Sequence, residues 1–129
     1  MPVIISQRVV LPDGQRPAAI TIEGETITQI GEVSDLPGGT AAIDVGSSVV
    51  SPGVIDAHVH VNEPGRTQWE GFASATAAAA AGGVTTIIDM PLNSSPVTTD
   101  RESLALKRES AAGKCQVDVG FYAGLVPGN

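Results

Sequence analysis

The 129-residue sequence has one cysteine, Cys115, and only one Trp, one Tyr and two Phe. A lone thiol permits no internal disulfide and fits a reducing cytoplasm, the expected location. With so few aromatic side chains, a core has to be assembled from aliphatic residues. Basic residues are also short: seven Lys and Arg against fourteen Asp and Glu leave a net charge of −7. No basic cluster is available to displace counterions from a phosphate backbone, so nucleic acid is not an expected partner. The longest purely apolar stretch, Ala77 to Ala81, is far shorter than the ~20 residues that span a bilayer. The start, Met1-Pro2-Val3-Ile4-Ile5, lacks the basic leader and long apolar region of an export signal.

What is present is a globular composition, 42% apolar and 16% charged, with fifteen Gly and nine Pro that call for many turns. Over residues 1–50 short β-rich runs at Val3 to Ile5, Ala19 to Ile22, Ile27 to Ile30, Ile43 to Val45 and Val49-Val50 alternate with turn signals such as Pro12-Asp13-Gly14 and Pro37-Gly38-Gly39. This predicts a small β domain of packed hairpins. Ser51-Pro52-Gly53 marks a break. Over residues 51–129 the pattern becomes strand, helix, strand, helix, strand: Val54 to His60, a helix opened by a capping box at Thr67 to Glu70 and stopped at Gly82-Gly83, Val84 to Met90, a helix opened by Thr99 to Glu102 and ending near Gly113, then Cys115 to Tyr122. That alternation is the signature of an α/β fold with a parallel sheet and right-handed crossovers. A (β/α)₈ TIM barrel takes about 250 residues. Two to three βα units therefore read as an incomplete barrel, a truncated piece expected to aggregate or stay partly molten with its sheet unclosed.

The chemistry concentrates in Asp56-Ala57-His58-Val59-His60. Residues two apart on a strand share a face, so His58 and His60 can aim neutral imidazoles at one cation. Strict alternation also puts Asp56 on that face, where it could orient a ligand from behind. The polar loop from Val61 to Phe72 follows directly, in the position where barrel loops carry function. Other notable residues have plain readings. Arg66 beside Glu63 and Glu70 reads as a surface partner, Trp69 as packing at the helix start, and Cys115 as a small apolar filler. Asp89 either faces the site or accepts main-chain donors from the next loop. Asn93 lies in a natural Asn-Ser-Ser-Pro turn.

Ser51 to Arg66, together with Gly82-Gly83-Val84-Thr85-Thr86-Ile87-Ile88-Asp89-Met90-Pro91-Leu92-Asn93-Ser94, closely resembles the cyclic amidohydrolases, and among them the allantoinase branch. The resemblance extends over essentially the whole chain. It implies hydrolysis of a cyclic amide, with allantoin as the small-molecule substrate, in a soluble homo-oligomer, a dimer or tetramer. It also implies two divalent metal ions, zinc expected, bridged by a carboxylated lysine. His58 and His60 carry over as ligands of one ion. The bridging lysine, two more histidines and a late catalytic aspartate match no position here; Lys107 and Lys114 fall on or after the second helix. Asn62 stands where dihydroorotases place an arginine for a substrate carboxylate, and an uncharged amide suits neutral allantoin better. Asn93 stands one residue out of register with an asparagine that touches substrate. A dihydroorotase or dihydropyrimidinase (hydantoinase) relative, or a catalytically dead homologue serving as an assembly partner, remain the alternatives. Manganese, cobalt or iron would suit such ligands as well as zinc. The isolated 129 residues are expected to show no turnover.

Overall fold

The computed structural model describes all residues, 1–129, and divides them into two units, Met1–Pro52 and Gly53–Asn129. The first unit is a five-stranded sheet. Strands β1 (Val3–Leu11), β2 (Gly14–Glu23) and β3 (Thr26–Gly31) form two consecutive antiparallel hairpins. β4 (Ala42–Asp44) and β5 (Val49–Val50) instead pair parallel with β1, in succession along its free edge. The expected set of hairpins is thus half correct, because a 3-10 turn at Val33–Asp35 and the loop behind it return the chain in the opposite sense. A bulge in β1 between Ser6 and Val9 marks the change of partner. There buried Ser6 donates Oγ–H to Ser48 O at 2.6 Å and accepts the Arg8 amide at 2.9 Å. Val9, Ala18 and Ile20 form the small buried core.

The second unit carries β6 (Val54–Val59), α1 (Phe72–Ala81), β7 (Val84–Asp89), α2 (Arg101–Ala111) and β8 (Asp118–Phe121). The three strands pair in parallel in the order β6-β7-β8. Val61, Phe72, Ile87 and Ala111 are buried together, with Val59, Ala75, Ala79, Cys115, Val117, Val119 and Phe121 packed on them. Phe72 and Phe121 meet edge to face, 6.1 Å between centroids, a favoured geometry that concentrates much of the scarce aromatic area in one place. Cys115 acts as filler, its thiol donating to Ala111 O. β8 is shorter than the run of β-formers suggests because Gln116 is held off the ladder: its amide donates to Thr76 Oγ1, which itself donates to Phe72 O. No helix is long and apolar enough to cross a membrane.

Both helix starts depart from the sequence expectation. Thr67 to Trp69 form a turn and Thr67 to Glu70 make no capping box, and α1 begins at Phe72 behind Gly71, with no side-chain cap from its N-cap residue. Its free Phe72 amide is taken by Glu63 Oε2 at 3.0 Å. Buried Glu63 also pairs with Lys114. A carboxylate from nine residues upstream therefore replaces the local cap, and no local pattern signals it. α2 does have a capping box, one residue later than expected: Asp100 accepts the Ser103 amide, while Ser103 Oγ accepts the Asp100 amide. The Ser103 bonds hold the Asp100 carboxyl below the usual carboxylate value.

A carboxyl with a lowered folded-state pKa contributes stability that is complete above its unfolded pKa and vanishes as pH falls through the folded one. Asp100→Ala should therefore lower the melting temperature at pH 7, with the gap from the parent protein narrowing as pH drops below the normal aspartate range. Thermal melts across pH 2 to 7 check this, and a gap that does not vary with pH contradicts it.

Candidate metal centre

The two histidines converge. His58 lies in β6 and His60 one residue past its end, with their Nε2 atoms 3.3 Å apart and ring centroids 5.3 Å apart. Two nitrogens each bound at about 2.0–2.1 Å to one zinc ion would be separated by this distance at an N–Zn–N angle of about 107°, close to tetrahedral. Nδ1 of His60 is buried without a partner. Donor type and spacing thus fit a shared divalent cation. Among residues 1–129 no group of three or more His, Cys, Asp or Glu side chains converges, so this pair would by itself fall short of the three protein ligands that such a site usually has.

β6 is irregular just before the histidine pair is complete. The β6–β7 register slips between Asp56 and Val59, so that Asp56 pairs with Ile87 and Val59 with Asp89. Bulges re-aim side chains in this way and are common beside functional sites. The slip corrects the expectation for Asp56. It falls on the side of Val59 and Ile87, not that of the histidines, and its exposed carboxylate accepts the His58 amide at 3.1 Å without reaching an imidazole. Its effect on His58 runs through the main chain.

Asn62 sits half-buried at the start of the next loop, its amide bonded to Glu70 O and its carbonyl to the Arg66 amide. Asn93 is exposed with φ of 70°, a left-handed conformation that asparagine tolerates well, in keeping with the turn reading. The loops carrying these two residues touch. The Ser95 amide donates to Pro64 O at 2.9 Å, and a Cβ on Gly65, whose φ is 87°, would stand 2.6 Å from Ser95 O. Glycine is required there on both counts. Arg66 and Trp69 behave otherwise than expected. Arg66 pairs with neither Glu63 nor Glu70 but lies 5.1 Å from the ring centre of Trp69, which is exposed and not packed.

Asp89 resolves in favour of main-chain donors, with a partner that the sequence did not suggest. Its Oδ1 accepts the Val61 amide at 2.7 Å, and its Oδ2 lies 2.5 Å from Lys107 Nζ. Both side chains are 1% exposed. Lys107 also donates to Val61 O at 3.3 Å and Ser94 Oγ at 3.1 Å, with its ammonium 5.9 Å from the Phe72 ring centre. Burial pushes the Asp89 carboxyl above the ordinary value, against the opposing pull of the Lys107 bond, the Val61 amide and the charges of Lys107 and His60. Sequence reasoning missed Lys107 because a lysine on an amphipathic helix normally faces solvent. The available signal was its place in line with Ser103 and Ala111 on the apolar stripe of α2.

Residues 49–128 match the amidohydrolase family. The chain belongs to that family. This amidohydrolase chain is 51% identical over 128 residues to an allantoinase of Streptomyces avermitilis, covering 98% of this chain and 29% of that one. It is 47% identical over 130 residues to an allantoinase of Arabidopsis thaliana, covering 98% and 26%. Among solved structures it superposes on L-hydantoinase (dihydropyrimidinase) from Arthrobacter aurescens with a TM-score of 0.85 and 33% identity, covering 98% of this chain and 28% of that chain. The fold is that of the α/β amidohydrolases, of TIM-barrel type, a family of metal-dependent hydrolases. The chain spans a little over a quarter of the length of these relatives.

Removing one partner of a buried ion pair leaves an uncompensated charge. Lys107→Met is expected to destabilise the protein by about 3–5 kcal/mol, whereas Asp89→Asn/Lys107→Met should fall within about 1 kcal/mol of the parent. Urea unfolding of both variants measures the difference, and equal losses would contradict the paired burial.

Proposed function

We propose that this chain is the N-terminal, metal-ligating segment of an allantoinase, which opens the hydantoin ring of allantoin by hydrolysis to give allantoate, a step of purine breakdown. One observation carries the reading: the meeting of His58 and His60 Nε2 at 3.3 Å, at the C-terminal end of a parallel strand, which is where barrel enzymes build their sites. The identity of 51% to an allantoinase supports this choice of substrate. His58 and His60 would hold one of two divalent cations, zinc expected, and such ions polarise a carbonyl and acidify water.

The remaining residues prepare that end of the sheet. Asp56 fixes the His58 main chain, and Asn62 offers substrate an uncharged amide beside the histidines. Asn93 is presented from the neighbouring loop, held close by the Gly65–Ser95 approach. Lys107 and Lys114 are each committed to a carboxylate, Asp89 and Glu63, so a bridging carboxylated lysine has to come from elsewhere in the protein. The same holds for a proton-transferring aspartate, the remaining ligands and the strands that would close a (β/α)₈ barrel behind the small β domain of residues 1–50. The holoprotein is a cytoplasmic homo-oligomer in this reading. A hydantoinase is the second reading, favoured by the TM-score of 0.85 to L-hydantoinase.

The full-length protein should hydrolyse allantoin with kcat/KM at least roughly a hundredfold above that for dihydroorotate, dihydrouracil or a simple hydantoin. Preference for another of these rings would replace the allantoinase reading, and absence of turnover with all four would favour a dead homologue. His58→Asn/His60→Asn should lose bound metal, with activity down by more than roughly a hundredfold. Metal content by plasma emission together with steady-state rates decides this, and retention of both would remove the assignment of the pair as ligands.

A further inference from the structure

The cluster formed by Asp89, Lys107, Ser94 and Val61 has no part in the chemistry proposed above, yet Asp89, Lys107 and Ser94 are all buried. Its partners come from four places: the end of β7, the middle of α2, the loop after β7 and the residue after His60. The bonds to Val61 have a specific sense. The Val61 amide belongs to the peptide shared with His60, and it donates to Asp89 Oδ1 at 2.7 Å. The Val61 carbonyl belongs to the peptide shared with Asn62, and it accepts from Lys107 Nζ at 3.3 Å. One ion pair thus grips the peptide on each side of Val61, whose own side chain is fully buried in the apolar core.

Stability alone does not call for such an arrangement. Desolvation of two buried charges largely offsets their attraction, and well-packed apolar residues serve as well or better. Apolar residues, however, cannot orient two successive peptide planes, and β6 has just lost its regular ladder at the Asp56–Val59 slip. Past that slip the main-chain direction at His60 is fixed on the β7 side by the Met90 amide donating to Val59 O at 2.7 Å, and beyond it by the Asp89–Lys107 pair.

We propose that Asp89 and Lys107 are positioning residues for the candidate metal centre: by clamping both peptides of Val61 they set the direction of the His60 imidazole and the placement of Asn62. The proposal rests on the reading of His58 and His60 as ligands. The hydrogen bonds of the pair reach His60 through the main chain, since the ammonium of Lys107 is engaged by Asp89, Ser94 and Val61.

The test uses the full-length protein stripped of metal. Zinc affinity is measured by competition with a chromophoric chelator, folding by thermal melts of the metal-free protein, and the orientation of His60 by the ¹⁵N resonances of its ring. Asp89→Asn/Lys107→Met should melt within a few degrees of the parent, yet bind zinc about tenfold to a hundredfold more weakly and shift or broaden the His60 ring signals. A folded double variant with parental affinity and parental ring signals overturns the proposal. Hydrogen exchange of the unmodified protein gives a check that needs no variant. The Val61 amide should be strongly protected, and exchange at the rate of an open loop overturns the clamp. The failure of the underlying reading looks different: His58→Asn/His60→Asn would then bind zinc as well as the parent. The ring signals and Val61 exchange of the metal-free protein would still decide whether the pair positions His60.

Discussion

A buried ion pair between the end of one strand and the middle of a helix organises the end of the sheet where the two histidines meet. Asp89 and Lys107 are nearly inaccessible to solvent, where charges persist only if paired and hydrogen-bonded. Their remaining bonding capacity is directed at Val61 and Ser94. The loops after β6 and β7 are thereby tied to α2 at their roots, so the histidine pair and the two asparagines project from a common, fixed base. The core alone would leave these loop roots less determined, because its aliphatic and alanine contacts around Phe72 and Ile87 have little directional preference.

A second constraint acts on the first helix. α1 is almost all alanine beyond Phe72, which favours helix formation and permits close approach to the sheet but provides little to anchor its start. Glu63 supplies the anchor from the loop after β6 by accepting the Phe72 amide, and Lys114 balances its charge from beyond α2. The polar loop that looks like a solvated connection is thus half structural. Of its two acidic residues Glu63 faces inward and Glu70 is exposed, and Arg66 and Trp69 lie against each other at the surface.

Much of the architecture was legible because it rests on local pattern. The alternation of β-branched runs with alanine-rich and amphipathic stretches located all three parallel strands and both helices of residues 53–129, with element ends differing by a few residues at most of the boundaries. The spacing of His58 and His60 anticipated that their imidazoles meet, and Asn93 adopts the turn geometry that its neighbours suggest. What failed had non-local causes. The start of α1 moved because a distant carboxylate outcompeted the local box. β4 and β5 joined β1 in parallel because the route of the chain between strands is not written in strand propensity. Asp56 changed sides because a one-residue slip reverses strict alternation across the point where it occurs, between Asp56 and Val59.

The sequence by itself determined the order of elements, the family pattern and the two imidazoles at a strand end, since each follows from composition and spacing within a few residues. Only the tertiary structure decided which carboxylates and lysines meet. Glu63 is separated from Lys114 by 51 positions, and Lys107 from Val61 by 46. A charge is read from sequence as solvated by default. Whether it is instead buried and paired depends on the partner that the fold carries to it, because the energy of the pair exists only once both have left water.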